Sequence, residues 1–230
     1  MGAICFSGFR FPGSGLEVSV TTPHSELRTP NSLPPVIGLV GGVASGKSFV
    51  AAQFEKLGCA VVDADRLTGD LLRDPATRQA LGKRFGDEIF FPSGEVDRRR
   101  LADKVFADRE ALESLNSIMH PELCERTRAA VDAARRRDVP AVILDAPLVL
   151  EKRLDTLSDF VVYIEASEEV RRTRAQESRG WPPAEIARRE AAQVSLKAKR
   201  ERADYIVDNN TSPEHTLEQI RRILARVGKR

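Results

Sequence analysis

The most informative segment of this sequence reads Gly41-Gly42-Val43-Ala44-Ser45-Gly46-Lys47-Ser48. It fits the pattern G-x-x-x-x-G-K-[ST], and it lies between an apolar run at 36–40 and a helical spacing over 49–57. Glycines let the backbone curl so that successive N–H groups point inward, and the following helix directs its positive end at the same place. We therefore predict a phosphate-binding loop, with Lys47 as a mobile cation and Ser48 as a ligand of Mg²⁺.

Further apolar runs indicate the other strands. They cover 59–62, 141–144 and 160–164, and a shorter run at 205–207 precedes a predicted helix from 213 to about 227. Runs that are apolar at every position are typical of parallel strands, since a sheet with one wet face would alternate apolar and polar residues. Because helical stretches separate the runs, we predict an α/β protein with the three-layer P-loop NTPase fold, a parallel sheet flanked by helices.

Aspartates follow two of the predicted strands. Asp63 and Asp65 come after the second run, and Asp145 comes after the third. Because ligands of open parallel sheets collect at the carboxyl ends of the strands, we expect these side chains to face the phosphate-binding loop. A carboxylate there can accept the proton of an attacking hydroxyl, and Asp65 fits that role. The alternative is a helix cap or a turn residue, and it applies more strongly to Asp63.

The length of the chain, 230 residues, suits one main domain and is short for two. Residues 1–34 are dominated by glycine, proline, serine and threonine, so we predict a flexible extension, followed by one P-loop domain over 35–230. Two mainly helical insertions, at about 66–138 and about 167–202, interrupt the strands of that domain. The second insertion is dense in arginine and lysine.

The composition is that of an ordinary globular protein. Hydrophobic residues make up 41% and the formal net charge is +2, so neither a membrane span nor long-range attraction to nucleic acid is indicated. The N-terminal segment has no recognisable secretory signal, and three widely spaced cysteines are typical of free thiols in a reducing cytosol. We expect a cytoplasmic protein that acts on a small molecule, without nucleic-acid or membrane partners, as a monomer or small homo-oligomer.

The glycine-rich motif alone is shared by kinases, GTPases and motor ATPases. A GTPase would also need an Asn-Lys-x-Asp sequence after a later strand, and Asp208-Asn209-Asn210-Thr211 does not supply it. A small-molecule kinase needs the motif and a nearby carboxylate, and both are present.

Several further motifs follow one another along the chain. They are Gly38-Leu39-Val40 before the loop, Asp63-Ala64-Asp65, Gly94-Glu95-Val96-Asp97-Arg98, Leu115-Asn116-Ser117-Ile118-Met119-His120-Pro121, Asp145-Ala146-Pro147-Leu148-Val149-Leu150-Glu151, Arg189, Gln193, Lys199, Ala203-Asp204 and Asp208-Asn209. From Val36 to the C-terminal helix, the chain in this order resembles the dephospho-CoA kinases, which catalyse the last step of coenzyme A synthesis.

The resemblance implies ATP with Mg²⁺ as the phosphoryl donor and the ribose 3′-hydroxyl of dephospho-CoA as the acceptor. It implies that Asp65 is the catalytic base and that Lys47 assists the transfer. The expected nucleotide contacts are Gly41, Gly42, Val43, Ala44, Ser45, Gly46, Lys47, Ser48, Phe49 and Asn209. The expected acceptor contacts are Asp65, Arg98, His120, Pro147 and Leu148. The first helical insertion then binds the acceptor and the second forms a lid.

The lid segment 171–180 departs from the usual pattern, because serine occupies one expected arginine position. Arg174 and Arg179 are both predicted to stabilise the transferring phosphoryl group, and which of them contacts the phosphates stays open. A solvated helical face is the alternative for the basic run, because Arg188 and Lys197 have acidic neighbours that could pair with them.

Two other functions share some of these features. A nucleoside or nucleotide kinase of similar fold would have the same loop and a basic lid, but the Leu-Asn…His-Pro segment favours dephospho-CoA as the acceptor. A nucleic-acid-binding P-loop ATPase would use the basic stretch 171–202, where aromatic residues for base stacking are nearly absent.

Overall fold

The computed structural model describes residues 33–146, 154–191 and 193–228 of the chain. The predicted flexible extension over 1–34 lies outside the described residues, apart from residues 33 and 34. Within the described ranges, no helix has the length and apolar character needed to span a membrane.

Parallel strands form the central sheet. The strands are β1 (Val36–Gly41), β2 (Ala60–Asp63), β3 (Val142–Asp145), β4 (Phe160–Glu165) and β5 (Tyr205–Asp208). Their spatial order is β2-β3-β1-β4-β5, and all four pairings are parallel. The predicted parallel sheet is confirmed, and each strand begins within one residue of the apolar run that predicted it.

Helices fill the segments between the strands. They are α1 (Lys47–Lys56), α2 (Ala64–Leu71), α3 (Pro75–Phe85), α4 (Arg98–Ala107), α5 (Arg109–Arg135), α6 (Glu168–Arg179), α7 (Pro183–Ala191), α8 (Leu196–Glu201) and α9 (Pro213–Val227). Short 3₁₀ helices lie at Asp87–Ile89 and Leu154–Leu157.

Each face of the sheet is buried under helices. On one face, Phe54 of α1 and Ile220 of α9 pack against the β1 residue Leu39. On the other face, Val131 of α5 packs in a cluster that contains Val40 of β1. Neighbouring residues of a strand point to opposite faces, so the uninterrupted apolar character of β1 supplies both clusters. The result is the predicted three-layer arrangement.

A separate apolar cluster holds α2, α3, α4 and α5 together. Its buried members are Leu71, Leu81, Phe85, Ile89, Leu101, Val105, Ala111, Met119 and Leu123. These helices come from the segment between β2 and β3, and because they share a core of their own they form a compact helical group. We call this group the α2–α5 group.

The strand register brings the carboxyl ends of three strands together. Asp145 of β3 pairs with Leu39 of β1 and with Asp63 of β2. Since β1 leads directly into the glycine-rich loop, the aspartates that end β2 and β3 lie at the same edge of the sheet as that loop.

Candidate active site

The glycine-rich loop occupies the turn between β1 and α1. Ala44 and Gly46 have positive φ values of 57° and 92°, and the N–H of Ser45 donates to the carbonyl oxygen of Gly42 at 3.2 Å. Positive-φ residues that alternate with ordinary ones turn successive N–H groups toward one concave side, which forms an anion-binding nest. The N-terminus of α1 adds the positive end of its dipole at Lys47.

Gly46 is the loop position at which glycine is required. Its φ of 92° disfavours any L side chain, and a Cβ there would lie 2.3 Å from Nδ2 of Asn209. Asn209 approaches this closely because its Nδ2 donates a hydrogen bond to the carbonyl oxygen of Ser45 at 2.9 Å. Asn209 therefore fastens the loop from the end of β5.

The Asn209 side chain is 3% exposed and has partners on both sides of its amide. Its Oδ1 accepts a hydrogen bond from the hydroxyl of Thr216 at 3.2 Å, and its backbone carbonyl accepts one from Arg174 at 2.9 Å. The structure thus places the predicted nucleotide contact Asn209 behind the loop backbone. Sequence reasoning missed Thr216, whose position in α9 gives no local signal of this contact.

The two predicted lid arginines differ in position. Arg174 is half-buried, and its guanidinium also donates to the carbonyl oxygen of Ser45 at 3.4 Å. Arg179 is exposed, and its guanidinium carbon lies over the Trp181 ring, 4.6 Å from the centroid. Arg189 lies over the same ring at 4.0 Å. The structure therefore brings Arg174 to the loop, while Arg179 stacks on Trp181.

Two buried cations underlie the loop, and neither was given a role from the sequence. Arg171 is 4% exposed, forms an ion pair with Glu190, and would lie 2.9 Å from a Cβ on Gly42. Lys199 is 1% exposed, and its Nζ donates to Gln193 at 2.8 Å and to the carbonyl oxygen of Gly41 at 3.5 Å.

A basic amphipathic stretch is typical of a solvated surface, so the local sequence gives no sign that these two cations are buried. The resemblance did include Lys199, and that was the available signal for one of them. The structure shows that α6 and α8 carry the pair inward, where they contact the backbone below the phosphate nest.

The aspartates after β2 have different positions. The carboxylate of Asp63 caps α2, since its Oδ1 accepts from the backbone N–H groups of Asp65 at 2.8 Å and Arg66 at 3.0 Å. The cap reading was therefore right for Asp63. Asp65 lies in the first turn of α2, and its side chain is exposed.

Asp145 connects the loop to these carboxylates. Its carboxylate accepts a hydrogen bond from the hydroxyl of Ser48, and the charges of Lys47, Asp63 and Asp65 all act on it. Burial raises the pKa of Asp145, an effect that the Ser48 hydrogen bond and the Lys47 charge partly offset. Asp145 was expected to face the loop but was given no role.

The lysine of the motif folds back over the loop. Its Nζ donates to the carbonyl oxygen of Gly42 at 3.3 Å, so the cation is held over the phosphate nest. The sequence-predicted residues Lys47, Ser48 and Asp65 are therefore brought together with Asp145 at one edge of the sheet. Phe49, also predicted to contact nucleotide, lies in the first turn of α1 with 38% of its surface exposed.

The donor set at Ser48 and Asp145 fits a magnesium ion. Mg²⁺ is usually held by one or two protein oxygen ligands together with substrate phosphates, rather than by a protein cage. In the described ranges no group of three or more histidine, cysteine, aspartate or glutamate side chains could hold a metal. A hydroxyl and a carboxylate joined by a hydrogen bond beside a phosphate nest match the first arrangement.

Arg98 reaches α2 from the first turn of α4. Asp97 caps α4 by accepting from the backbone N–H groups of Arg99 at 2.9 Å and Arg100 at 3.2 Å. A Cβ on Gly69 would lie 2.9 Å from Nη2 of Arg98. The guanidinium therefore lies against α2 one helical turn after Asp65, about 6 Å along the axis at 1.5 Å per residue.

The remaining predicted acceptor residues are His120, Pro147 and Leu148. His120 is half-buried on α5, and its Nδ1 lies 3.5 Å from Sγ of Cys124, one turn along the same helix. Pro147 and Leu148 lie outside the described residues.

Comparison with known proteins identifies relatives of this chain. A family model described as dephospho-CoA kinase matches residues 35–215. A dephospho-CoA kinase of Carboxydothermus hydrogenoformans is 39% identical over 194 residues, which cover 83% of this chain and 93% of the relative. A dephospho-CoA kinase of Syntrophotalea carbinolica is 37% identical over 193 residues, which cover 84% of this chain and 92% of the relative.

Solved structures with the same fold include two from bacteria. The crystal structure of TT1252 from Thermus thermophilus has a TM-score of 0.74 at 32% identity, and it covers 85% of this chain and 98% of that one. A dephospho-CoA kinase from Campylobacter jejuni has a TM-score of 0.64 at 19% identity, covering 84% of this chain and 97% of that one. At 19% identity the second likeness supports the fold alone.

Proposed function

Because this chain belongs to the dephospho-CoA kinase family, it phosphorylates dephospho-CoA with ATP to give coenzyme A, and we propose how its side chains divide that work. The oxygen of the ribose 3′-hydroxyl attacks the γ-phosphorus of ATP and forms a new P–O bond. The bond from that phosphorus to the β,γ-bridging oxygen breaks, and ADP leaves. The hydroxyl proton passes to a carboxylate.

The donor binds in the loop between β1 and α1. The backbone N–H groups around Ala44 and Gly46 hold the β- and γ-phosphates, and Lys47 follows the charge as it moves toward the leaving oxygen. Asn209 and Arg174 fix the loop through the carbonyl of Ser45, so the nest needs little rearrangement when nucleotide binds.

Asp65 accepts the proton from the 3′-hydroxyl. This role is supported by the different positions of the two aspartates after β2. Asp63 accepts the cap hydrogen bonds of α2, whereas the carboxylate of Asp65, one residue into the helix, is exposed. The negative charge of Asp65 acts on Asp145, whose carboxylate accepts the hydrogen bond of Ser48, and this supports a place for the base near the loop.

Mg²⁺ is proposed to bind between Ser48 and Asp145. When bound there with ATP, the ion would neutralise phosphate charge and orient the γ-phosphoryl group. The chain contributes the Ser48 hydroxyl and the Asp145 carboxylate, which are already joined by a hydrogen bond. Chelation by EDTA should abolish turnover, and added Mg²⁺ should restore it.

The lid supplies further positive charge. Arg174 lies at the loop, where it can reach a phosphate with a small side-chain movement. Arg179 stacks on Trp181, so its predicted contact with the transferring group requires it to leave that ring as the lid closes. Closure would also exclude water that could hydrolyse ATP.

The acceptor is proposed to lie along α2. Arg98 binds its phosphates one turn after Asp65, and His120, Pro147 and Leu148 complete the predicted contacts. A coupled ADP-release assay with dephospho-CoA, adenosine, adenosine 5′-monophosphate and pantetheine as separate acceptors tests the assignment. ADP release that requires dephospho-CoA is expected, and equal rates with adenosine would contradict it.

A cytoplasmic location and an absence of nucleic-acid partners belong to the same proposal. Several cations of the basic stretch 171–202 are paired with acidic neighbours. Ion pairs there join Arg172 to Glu168, Arg188 to Glu185, Lys197 to Glu201 and Arg200 to Glu165. These pairs favour the solvated face over a nucleic-acid surface. We propose that the enzyme acts as a monomer or small homo-oligomer.

A further inference from the structure

Two adjoining cavities lie in the α2–α5 group. The arginine cavity has a volume of about 260 Å³, and its lining includes Gly69, Leu72, Arg73, Arg78 and Arg98. The aromatic cavity has a volume of about 470 Å³, and its lining includes Pro75, Arg78, Gln79, Phe90, Phe91 and Pro92. Because Arg78 lines both, the two cavities meet at its side chain.

The arginine cavity begins close to the proposed base. Gly69 is one turn from Asp65 along α2, and Leu72, just past the end of α2, is about 10 Å from it at 1.5 Å per residue. A ribose carries its 3′-hydroxyl and its 5′-phosphate on opposite sides of one small ring. An acceptor with its 3′-hydroxyl at Asp65 can therefore place its 5′-diphosphate in the arginine cavity.

The charges of the arginine cavity suit a diphosphate. Three guanidinium groups and the carboxylate of Glu95 line it, and Arg73 is paired with Asp70 at 3.2 Å. Among the described residues, the ion pairs include neither Arg78 nor Arg98. Guanidinium groups bind phosphate oxygens through paired N–H donors, so these two arginines favour an anionic ligand.

A tight turn lines the aromatic cavity. In the segment 91–94, the N–H of Gly94 donates to the carbonyl oxygen of Phe91 at 2.8 Å, with proline at the second position of the turn. Gly94 has a φ of 80°, which favours glycine there. The guanidinium of Arg78 donates to the carbonyl oxygen of Gly94 at 3.1 Å and so ties the turn to α3.

This turn holds an aromatic ring at the surface. Phe91 is 45% exposed, although phenylalanine is among the more buried residue types. Proline rings at positions 75 and 92 and the ring of Phe90 continue the same apolar wall, and Gln79 supplies an amide. The site is shallow and open to solvent, and its apolar wall with a few polar groups suits an extended chain that lies along the surface.

We propose that the aromatic cavity binds the pantetheine arm of dephospho-CoA. This inference rests on dephospho-CoA as the acceptor and names the part of the chain that recognises its far end. Dephospho-CoA is adenosine 5′-diphosphate whose outer phosphate carries that arm, a chain with a geminal dimethyl group, two amides and a thiol. With the diphosphate at Arg78 and Arg98, the arm continues past Arg78 onto Phe91 and Pro92, and Gln79 is available to its amides.

Contact with the pantetheine arm would distinguish dephospho-CoA from other adenosine-containing acceptors. An adenosine nucleotide without the arm can use Asp65 and Arg98 but leaves the aromatic cavity in water. The arm adds buried apolar contact, which lowers the KM for dephospho-CoA without changing the reacting atoms. Phe91 is therefore a specificity residue and not a catalytic one.

The test compares Phe91→Ala with Leu112→Ala in the full chain. Leu112 is a matched control because it is another large apolar side chain of the α2–α5 group, 38% exposed and outside both cavities. We expect Phe91→Ala to raise the KM for dephospho-CoA about 5- to 30-fold with kcat changed less than about twofold. Leu112→Ala should leave both constants at the wild-type values.

Two competing ligands separate arm binding from a general structural defect. Inhibition by 4′-phosphopantetheine, which carries the arm and one phosphate but no adenosine, should weaken by the same factor in Phe91→Ala. Inhibition by adenosine 5′-monophosphate at saturating ATP should stay unchanged. An unaltered KM for dephospho-CoA in Phe91→Ala, or equal weakening of both inhibitors, would overturn the inference. If the wild-type chain did not phosphorylate dephospho-CoA, the proposed function would fail with it.

Discussion

Asp63 and Asp145 are register partners at the carboxyl ends of the adjacent strands β2 and β3. Their carboxylates nevertheless have different tasks, since Asp63 caps α2 and Asp145 accepts the hydrogen bond of Ser48. The position of Asp65 follows from this division. The cap begins α2 immediately after β2, and the first turn of the helix then carries the Asp65 carboxylate beside the other two.

Asp145→Asn should stabilise the folded protein at neutral pH and reduce turnover. Burial raises the pKa of Asp145, so the folded chain binds a proton there more readily than the unfolded chain does. Between the usual aspartate pKa, about 3.9, and the raised value, the contribution of this group to the free energy of unfolding falls as pH rises. Asparagine does not ionise and so avoids this decrease in the free energy of unfolding, but it also removes a ligand proposed for Mg²⁺.

The measurement for Asp145 is urea unfolding at several pH values. The gain of Asp145→Asn over the wild type should be largest at pH 7 and should shrink as pH falls through that window. Asp63→Asn is the control, because Asp63 is exposed and asparagine preserves the cap. A variant less stable than the wild type at pH 7 would contradict the account.

Asn209→Ala should weaken ATP binding through the loop backbone. The change removes the amide that joins the carbonyl of Ser45 to the hydroxyl of Thr216, and each buried hydrogen bond lost costs about 0.5–1.5 kcal/mol. We expect a lower thermal midpoint and a KM for ATP raised about tenfold. Thr216→Val removes only one of the two contacts, so its effect on both quantities should be smaller.

Arg174→Ala and Arg179→Ala should separate the roles of the two lid arginines. Arg174 already contacts the loop, so its loss should lower kcat at least about tenfold and also raise the KM for ATP. Arg179 must leave Trp181 to reach a phosphate, so its loss should lower kcat with the KM for ATP unchanged.

Trp181, the one tryptophan of the sequence, reports this movement. ATP should change its fluorescence in the wild type, because the guanidinium of Arg179 leaves the ring, and the change should be reduced in Arg179→Ala. Identical nucleotide-dependent fluorescence in the two proteins would show that Arg179 stays in place.

The sequence predicted the strands well because each is a short apolar run that ends in a polar residue or a loop. The order of the strands could not be read from it, since the pairing of β1 with β3 joins residues about a hundred positions apart, and local periodicity carries no information on such contacts. The fold class followed from the motif and the parallel pattern together.

The site was predictable where a motif or a strand end marked it, as at Lys47, Ser48 and Asp65. The buried cations behind the loop could not be predicted. Arg171 and Lys199 lie in a sequence typical of a surface, and only the packing of α6 and α8 buries them. The task of Asp145 was also hidden, because its contact with Ser48 depends on the register of β3 beside β1. The chemical roles of all these candidate site residues, including Lys47, Ser48 and Asp65, stay predictions.

The kcat of Asp65→Asn beside that of Asp63→Asn, each at saturating ATP and dephospho-CoA, tests most directly that Asp65 takes the hydroxyl proton. Both variants lose one negative charge from the same cluster, and Asp63→Asn keeps the cap on α2. We expect a kcat for Asp65→Asn lower by about 10²- to 10⁴-fold with the KM for ATP nearly unchanged, and a change of less than about tenfold for Asp63→Asn. A kcat for Asp65→Asn equal to the wild type, or equal losses in the two variants, would contradict it.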